Sequence, residues 1–159
     1  MDLLLREARL ADAPLIAAMT RQAWNGRVVG ESSGHHEGAD RVAADLQAGG
    51  GFILLAGEAP AGSVRWLPAE GEMAVWEIIR LGILPAWRGY QLSQRLLEAV
   101  LHHAQAADVC ELRLAVRHDQ PRLLDLYAAY GFELAPELEY RRANPALTAP
   151  PMMRRQSRR

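Results

Sequence analysis

The segment RLGILPAWRGYQLSQRLL, residues 80–97, joins strand-like sequence to helix-like sequence through a short turn that carries an arginine. Backbone N–H groups in the first turn of a helix have no partner within the helix, and the helix dipole makes that end positive. A strand that stops just before such a helix can direct these groups at a phosphate. Residues 88–93 are therefore a candidate phosphate-binding turn, with Arg88 as a fixed charge. An ordinary strand-to-helix loop with a surface arginine has the same pattern and stays as the alternative.

Hydrophobic periodicity predicts the elements that position this turn. The expected order is one strand, two helices, three strands, a helix, a strand, a helix and two strands, which is typical of an α/β fold with a sheet of mixed direction. Gly131 is expected to end the fourth helix with a positive φ. Helices are expected at residues 12–24, 39–48, 90–107 and 120–130, and strands at 3–8, 52–58, 62–68, 72–84, 110–116, 132–142 and 150–157.

Length and charge limit the classes of function. The 159 residues are expected to form one domain, 1–159, whose last part, 141–159, holds six arginines and no acid. The first 140 residues carry a net charge of −7, so nucleic acid is not an expected partner. No apolar run suits a signal peptide or a membrane span, and the single cysteine fits a reducing compartment. We therefore expect a cytoplasmic protein without a membrane partner, and a homodimer stays open.

No metal site is expected. His35 and His36 are adjacent in a polar, glycine-rich segment, 25–38, with no cysteine or third histidine nearby. Zinc sites need three or four such ligands at suitable spacing.

Two motifs occur together in the second half of the chain: LGILPAWRGYQLS at residues 81–93, and LxV…LYxxxGF at residues 114–132. The first resembles the acetyl-CoA-binding motif of the GCN5-related N-acetyltransferases, and the second is similar to the motif that follows it in that family. The resemblance is clear over residues 72–132, and the element order extends it over the whole chain. It implies a single domain with a mixed, mostly antiparallel sheet of six or seven strands, flanking helices, and strands splayed at the CoA site.

The resemblance implies acetyl-CoA as co-substrate and a set of cofactor-binding residues. Pantetheine is expected beside one strand, the pyrophosphate on the turn, and Gln120 where the family usually has an asparagine that touches the cofactor. The family usually has glycine at the position of Gln91, and glycine or alanine at that of Ser93. We expect both in the first helical turn with negative φ, so that glycine is not needed for backbone conformation. The implied residues are Leu81, Gly82 and Ile83 on the strand, and Arg88, Gly89, Tyr90, Gln91, Leu92 and Ser93 on the turn.

Glu77 and Tyr127 are the catalytic candidates. Glu77 lies six residues before Ile83, the spacing at which several family members keep a glutamate base. Apolar neighbours on its strand face, expected to be Ile79, Leu81 and Ile83, would raise its pKa towards a useful value. The alternative is a Glu77 paired with Arg65, with water as the base. Tyr127 aligns with the family's tyrosine that faces the CoA sulfur, although helix spacing alone favours core packing.

These residues predict an N-acetyltransferase that passes the acetyl group directly from acetyl-CoA to a primary amine of a small molecule or peptide. The alternative is a CoA sensor or regulatory module of the same fold with weak catalysis. Acidic residues in segments that resemble acceptor-side elements favour a cationic acceptor. The arginine-rich end favours an anionic one if it folds back to line the site. The acidic residues are Glu31, Glu37, Glu70 and Glu72.

Overall fold

The computed structural model describes residues 2–24, 37–117, 120–140 and 149–157. The predicted order of helices and strands is confirmed. The strands are β1 (Leu3–Glu7), β2 (Gly50–Ala56), β3 (Ala59–Pro68), β4 (Val75–Ile83), β5 (Glu111–Ala115), β6 (Glu133–Leu134) and β7 (Met152–Gln156). The helices are α1 (Ala13–Trp24), α2 (Ala39–Ala48), α3 (Leu92–Ala106) and α4 (Arg122–Ala129). None of these described helices is long and apolar enough to cross a membrane.

All seven strands form one sheet in the order β1-β2-β3-β4-β5-β7-β6. Among the strands in the described residues, only β4 and β5 pair in parallel, and the other pairs are antiparallel. A parallel pair needs a crossover connection, and α3 supplies it between β4 and β5. The predicted mixed, mostly antiparallel sheet is therefore confirmed, with the larger of the two expected strand numbers.

Helices cover both faces of the sheet. Side chains of α3 and α4 pack on one face with Leu54 and Ile78, whereas those of α1 and α2 pack on the other with Ile53. Ile53 and Leu54 are consecutive in β2, and they reach opposite faces because neighbouring residues of a strand point to opposite sides of the sheet. Both faces are thus apolar, which is why β2 has a nearly continuous hydrophobic sequence.

A β-bulge at Arg80 interrupts β4. Between the pairs Arg65↔Ile79 and Ser63↔Gly82 the strand β4 has one residue more than β3, and Arg80 has a φ of 54°. The extra residue reverses the alternation of faces. Leu81 and Ile83 therefore pack on the α3 side together with Ile78. The expectation that they share a face with Glu77 is wrong.

The arginine-rich end of the chain is partly an interior strand. In β7, which lies between β5 and β6, Met152 and Met153 are buried. Arg154 forms an ion pair with Glu137, and the Nε of Arg155 donates to the carbonyl of Tyr130 at 2.9 Å. Neither arginine lines the cleft described below, and removal of this segment would remove part of the sheet.

The chain after α4 differs in part from the prediction. Gly131 has a φ of 89° as expected. Its N–H bonds to the carbonyl of Ala128 at 3.0 Å, and that of Phe132 to the carbonyl of Tyr127 at 3.1 Å, which is the Schellman pattern. The strand expected at 132–142 forms only at Glu133–Leu134, and residues 141–142 lie outside the described part.

Candidate active site

The strands β4 and β5 separate halfway along β4. Residues 75–78 of β4 pair with residues 111–114 of β5, whereas the rest of β4, up to Ile83, pairs only with β3 among the described strands. The separation opens a cleft with a volume of about 300 Å³. Most residues predicted to bind the cofactor line it, together with Tyr127: Leu81, Gly82, Ile83, Arg88, Gly89, Gln91, Leu92, Ser93 and Gln120.

Two predicted site residues lie away from this lining. The side chain of Tyr90 is exposed, and its ring lies beside Trp87 with 6.5 Å between the ring centroids. Glu77 lies on β4 between Leu67 of β3 and Arg113 of β5, before the bulge. Neither is among the described residues that line the cleft.

The N-terminus of α3 faces the cleft without a side-chain cap and without an acid in its first turn. The helix begins at Leu92, and Gly89 before it has a φ of 90°. Gln91 adopts left-handed backbone, with φ of 59° and ψ of 30°. The expectation of a negative φ at Gln91 is wrong, because this residue precedes the helix, whereas Ser93 is helical as expected. Glycine would thus relieve backbone strain at position 91 as well as leave space.

Arg88 connects the turn to the end of α1. Its Nη2 donates to the carbonyl of Ala23 at 2.6 Å, and its Nε donates to the carbonyl of Ile83 at 3.3 Å. The last carbonyls of a helix lack intrahelical partners and carry partial negative charge, so a guanidinium stabilises them. Arg88 therefore places positive charge at the cleft, and its hydrogen bonds connect the end of α1 to the end of β4.

Tyr127 is a buried side chain of α4 that lines the cleft. Its ring packs edge-on against Phe132, with 5.9 Å between centroids. Burial raises the pKa of the Tyr127 hydroxyl, and the positive charge of Arg117 partly opposes this rise. The hydroxyl therefore keeps its proton at neutral pH.

Trp24 and Arg117 form a contact that sequence reasoning missed. The guanidinium carbon of Arg117 lies 4.8 Å from the centroid of the Trp24 ring, and its Nη2 donates to the Oε1 of Gln120 at 2.9 Å. Trp24 and Arg117 also line the cleft. A Cβ at Gly82 would come within 2.8 Å of the Trp24 ring, so glycine allows the ring to lie against β4.

Trp66 and Trp76 lie apart from Trp24 and have a different role. Trp66 and Trp76 stack on the α3 side of the sheet, with 5.4 Å between centroids and an interplanar angle of 14°. His103 of α3 lies 4.9 Å from the Trp66 centroid. Trp66 and Trp76 therefore belong to the core cluster on that side, whereas Trp24 and Trp87 line the cleft.

A buried group of charges lies beside Trp24, under α1 and α2. Arg65 is fully buried and pairs with Glu37 and, at 2.7 Å, with Asp45. The Nε of Arg80 lies 3.3 Å from the same Glu37 carboxylate, and its guanidinium lies 5.9 Å from the Trp24 centroid. Burial lowers the pKa of Arg65, and the two carboxylates oppose this effect. These partners of Arg65 differ from the Glu77 pairing that the sequence left open.

The chemistry of the lining suits a phosphate-bearing cofactor. Arg88 and Arg117 line the cleft, whereas no Asp or Glu is among the described residues that do so. An uncapped helix end adds N–H donors, and the unpaired side of β4 offers its backbone. In a protein with this sheet, such a cleft defines a class of enzymes that use acyl-CoA.

The chain belongs to the acetyltransferase (GNAT) family, whose model matches residues 17–132. Acetyl-CoA is the co-substrate of this family, and the chain is an acyltransferase of the N-acetyltransferase type. No curated protein matches the chain significantly.

Solved structures share the fold at low sequence identity. The PaiA N-acetyltransferase of Thermoplasma acidophilum, in complex with coenzyme A, has a TM-score of 0.76 and 15% identity, over 99% of this chain and 100% of that one. An N-acetyltransferase of Staphylococcus aureus Mu50 has a TM-score of 0.78 and 13% identity, over 98% and 99%. The N-acetylglutamate synthase of Neisseria gonorrhoeae, complexed with coenzyme A and N-acetyl-glutamate, has a TM-score of 0.75 and 20% identity, over 100% of this chain and 36% of that one.

Proposed function

We propose that this protein transfers the acetyl group of acetyl-CoA directly to a primary amine of a small molecule or a peptide. The observation that carries the proposal is the cleft between β4 and β5. One opening brings together an uncapped helix N-terminus, an unpaired strand edge and the buried Tyr127. The first two can hold a nucleotide-linked thioester, and the third can donate a proton.

The residues of the cleft divide the work of binding. The amides at the start of α3 and the charge of Arg88 hold the pyrophosphate. The edge of β4 at residues 81–83 pairs with the amide groups of pantetheine. Gln120, which accepts from Arg117, takes the place of the family's asparagine beside the cofactor.

Bound acetyl-CoA supplies an acetyl group that is activated as a thioester. As the bond from nitrogen to the acetyl carbon forms, the carbon–sulfur bond breaks, and the amine gives up a proton. Tyr127 donates its proton to the departing sulfur, a role for which its burial keeps the hydroxyl protonated. Glu77, on the face covered by α1 and α2, accepts the amine's proton through water, since it lies outside the described lining.

Tyr127→Phe tests the acid. We expect kcat to fall by about 100- to 10,000-fold, with an unchanged Kd for CoA, because the hydroxyl is assigned only to the sulfur. Tyr130→Phe is the matched control, since its hydroxyl donates to Glu98 at 2.6 Å outside the cleft. Thiol release and calorimetry measure the two quantities. A Tyr127→Phe enzyme with full kcat would remove the acid role.

Glu77→Gln tests the base. If Glu77 accepts the proton, the rise of the rate with pH flattens in this variant; an unchanged profile assigns the step to water alone. The same assay separates the enzyme from a CoA sensor. CoA binding without acetylation of any amine supports the sensor, and failure of the intact protein to bind CoA contradicts both.

A further inference from the structure

Part of the cleft lining, outside the turn at residues 88–93, is cationic and aromatic. Trp24, Arg117, Gln120 and Tyr127 line the cleft from both faces of the sheet. We infer that the acceptor carries a carboxylate close to its amino group, and that Arg117 binds this carboxylate. The inference rests on the proposed acetyl transfer and narrows the class of its amine.

Contacts with Trp24 and Gln120 orient the guanidinium of Arg117. Its carbon lies over the Trp24 ring, 4.8 Å from the ring centroid, and its Nη2 donates to the Oε1 of Gln120 at 2.9 Å. A guanidinium is planar, and the fork of its N–H groups matches the two oxygens of a carboxylate. The contact with Trp24 therefore prepares Arg117 to bind an anion and reduces the entropy lost on binding.

Arg117 also lies close to the proposed reaction centre. Arg117 and Tyr127, whose hydroxyl is assigned to the CoA sulfur, line the same cleft, and the charge of Arg117 partly offsets the rise in the pKa of that hydroxyl. A carboxylate on Arg117 thus leaves the acceptor nitrogen only a few bonds away, at the thioester. This geometry suits a small amino acid or a related amino-carboxylate.

The carboxylates that would attract a cationic amine lie elsewhere. Glu37 is buried and paired with Arg65 and Arg80. Glu72 pairs with Arg113, and Glu70 is exposed in the same turn before β4, at the opposite end of that strand from the cleft. Glu31 lies outside the described residues. The structure thus removes three of the four acids on which a cationic acceptor was predicted.

The test uses matched pairs of amines: an amino acid, its carboxamide and the amine that lacks the carboxylate. We expect the protein to acetylate the amino acid with a kcat/KM about 10- to 100-fold higher than that of the carboxamide or the plain amine. Arg117→Gln should make kcat/KM equal for the three amines. Arg117→Lys keeps the charge but loses the planar fork of N–H donors, so its preference for the amino acid should lie between those of the unmodified protein and Arg117→Gln. Arg122→Gln is the control, because Arg122 is exposed on α4 and does not line the cleft.

Binding provides a readout that does not need turnover. With CoA bound, the N-acetyl amino acid should bind more tightly than the matched N-acetyl amine, and Arg117→Gln should abolish this difference without changing the Kd of CoA. A loss of CoA affinity, or an equal fall of kcat/KM for all three amines, would assign Arg117 to the cofactor or to the shared chemistry and overturn the inference. Acetylation without preference for the carboxylate overturns the inference alone, whereas acetylation of no amine overturns the proposed function with it.

Discussion

Gln91 occupies a backbone conformation that glycine would adopt with less strain. Its φ of 59° and ψ of 30° lie in the left-handed region, and its side chain makes no capping hydrogen bond to α3. In this region the Cβ of an L-residue approaches a carbonyl oxygen, which costs roughly 1–2 kcal/mol, whereas glycine has no Cβ. We therefore expect Gln91→Gly to stabilise the protein, although most glycine substitutions destabilise.

The size of this effect follows from two opposing contributions. Glycine removes the strain but increases the conformational entropy of the unfolded chain, which costs about 0.5–1 kcal/mol. The net gain in the free energy of unfolding is then about 0.5–1 kcal/mol. In a domain of this size that gain raises Tm by roughly 1–4 °C.

Urea and thermal unfolding measure the change, and Gln94→Gly is the matched control. Gln94 also lines the cleft but lies inside α3, where glycine costs about 1 kcal/mol. The same chemical change should therefore have opposite signs at positions 91 and 94. Gln91→Ala keeps the Cβ and should be less stable than Gln91→Gly by about 1 kcal/mol. Equal destabilisation by the two glycines would refute the reasoning.

Two further predictions concern stability. Glu37→Gln should lower the free energy of unfolding by about 3–5 kcal/mol, because the charge of the buried Arg65 loses a partner; Asp40→Asn, on the exposed side of α2, should change it little in the same urea titration. Asp12→Ala should cost about 1 kcal/mol, since the Asp12 carboxylate accepts hydrogen bonds from Nη1 and Nη2 of Arg6 at 2.9 Å and from the backbone N–H of Arg9 at 2.8 Å. Arg6 lowers the pKa of Asp12. The stabilisation by Asp12 is therefore fully present above about pH 4 and is lost as the pH falls through the lower pKa of the folded state. If Asp12→Ala still lowered the free energy of unfolding in strong acid, this explanation would be wrong.

The sequence predicts the order of elements because each element has its own local signal. The apolar face of α3, with Leu96, Leu97 and Val100 buried, follows directly from 3.6-residue spacing. Gly131 marks the end of α4 because its positive φ of 89° favours glycine. Such signals depend on neighbouring residues only and need no knowledge of the tertiary structure.

The site is predicted less completely, because two irregular residues carry no local signal. Neither Arg80 nor Gln91 is a residue type that indicates positive φ, so the bulge and the late start of α3 are absent from the prediction. The period-2 rule then places Leu81 on the wrong face relative to Glu77. The contact of Trp24 with Arg117 joins residues far apart in sequence, and only the tertiary fold brings them together.

The bulge, the buried charges and the cleft are physically connected through Arg80. Its left-handed φ of 54° costs roughly 1–2 kcal/mol in isolation. The bond from its Nε to Glu37 and the position of its guanidinium over Trp24 offset that cost, so an arginine is stable where glycine would be less strained. The bulge in turn directs Gly82 against Trp24 and leaves the end of β4 apart from β5. Loss of Glu37 should therefore raise the Kd of CoA as well as destabilise the fold. Asp12→Ala should leave the Kd of CoA unchanged, because Asp12 contacts Arg6 of β1, which β2 and β3 separate from β4.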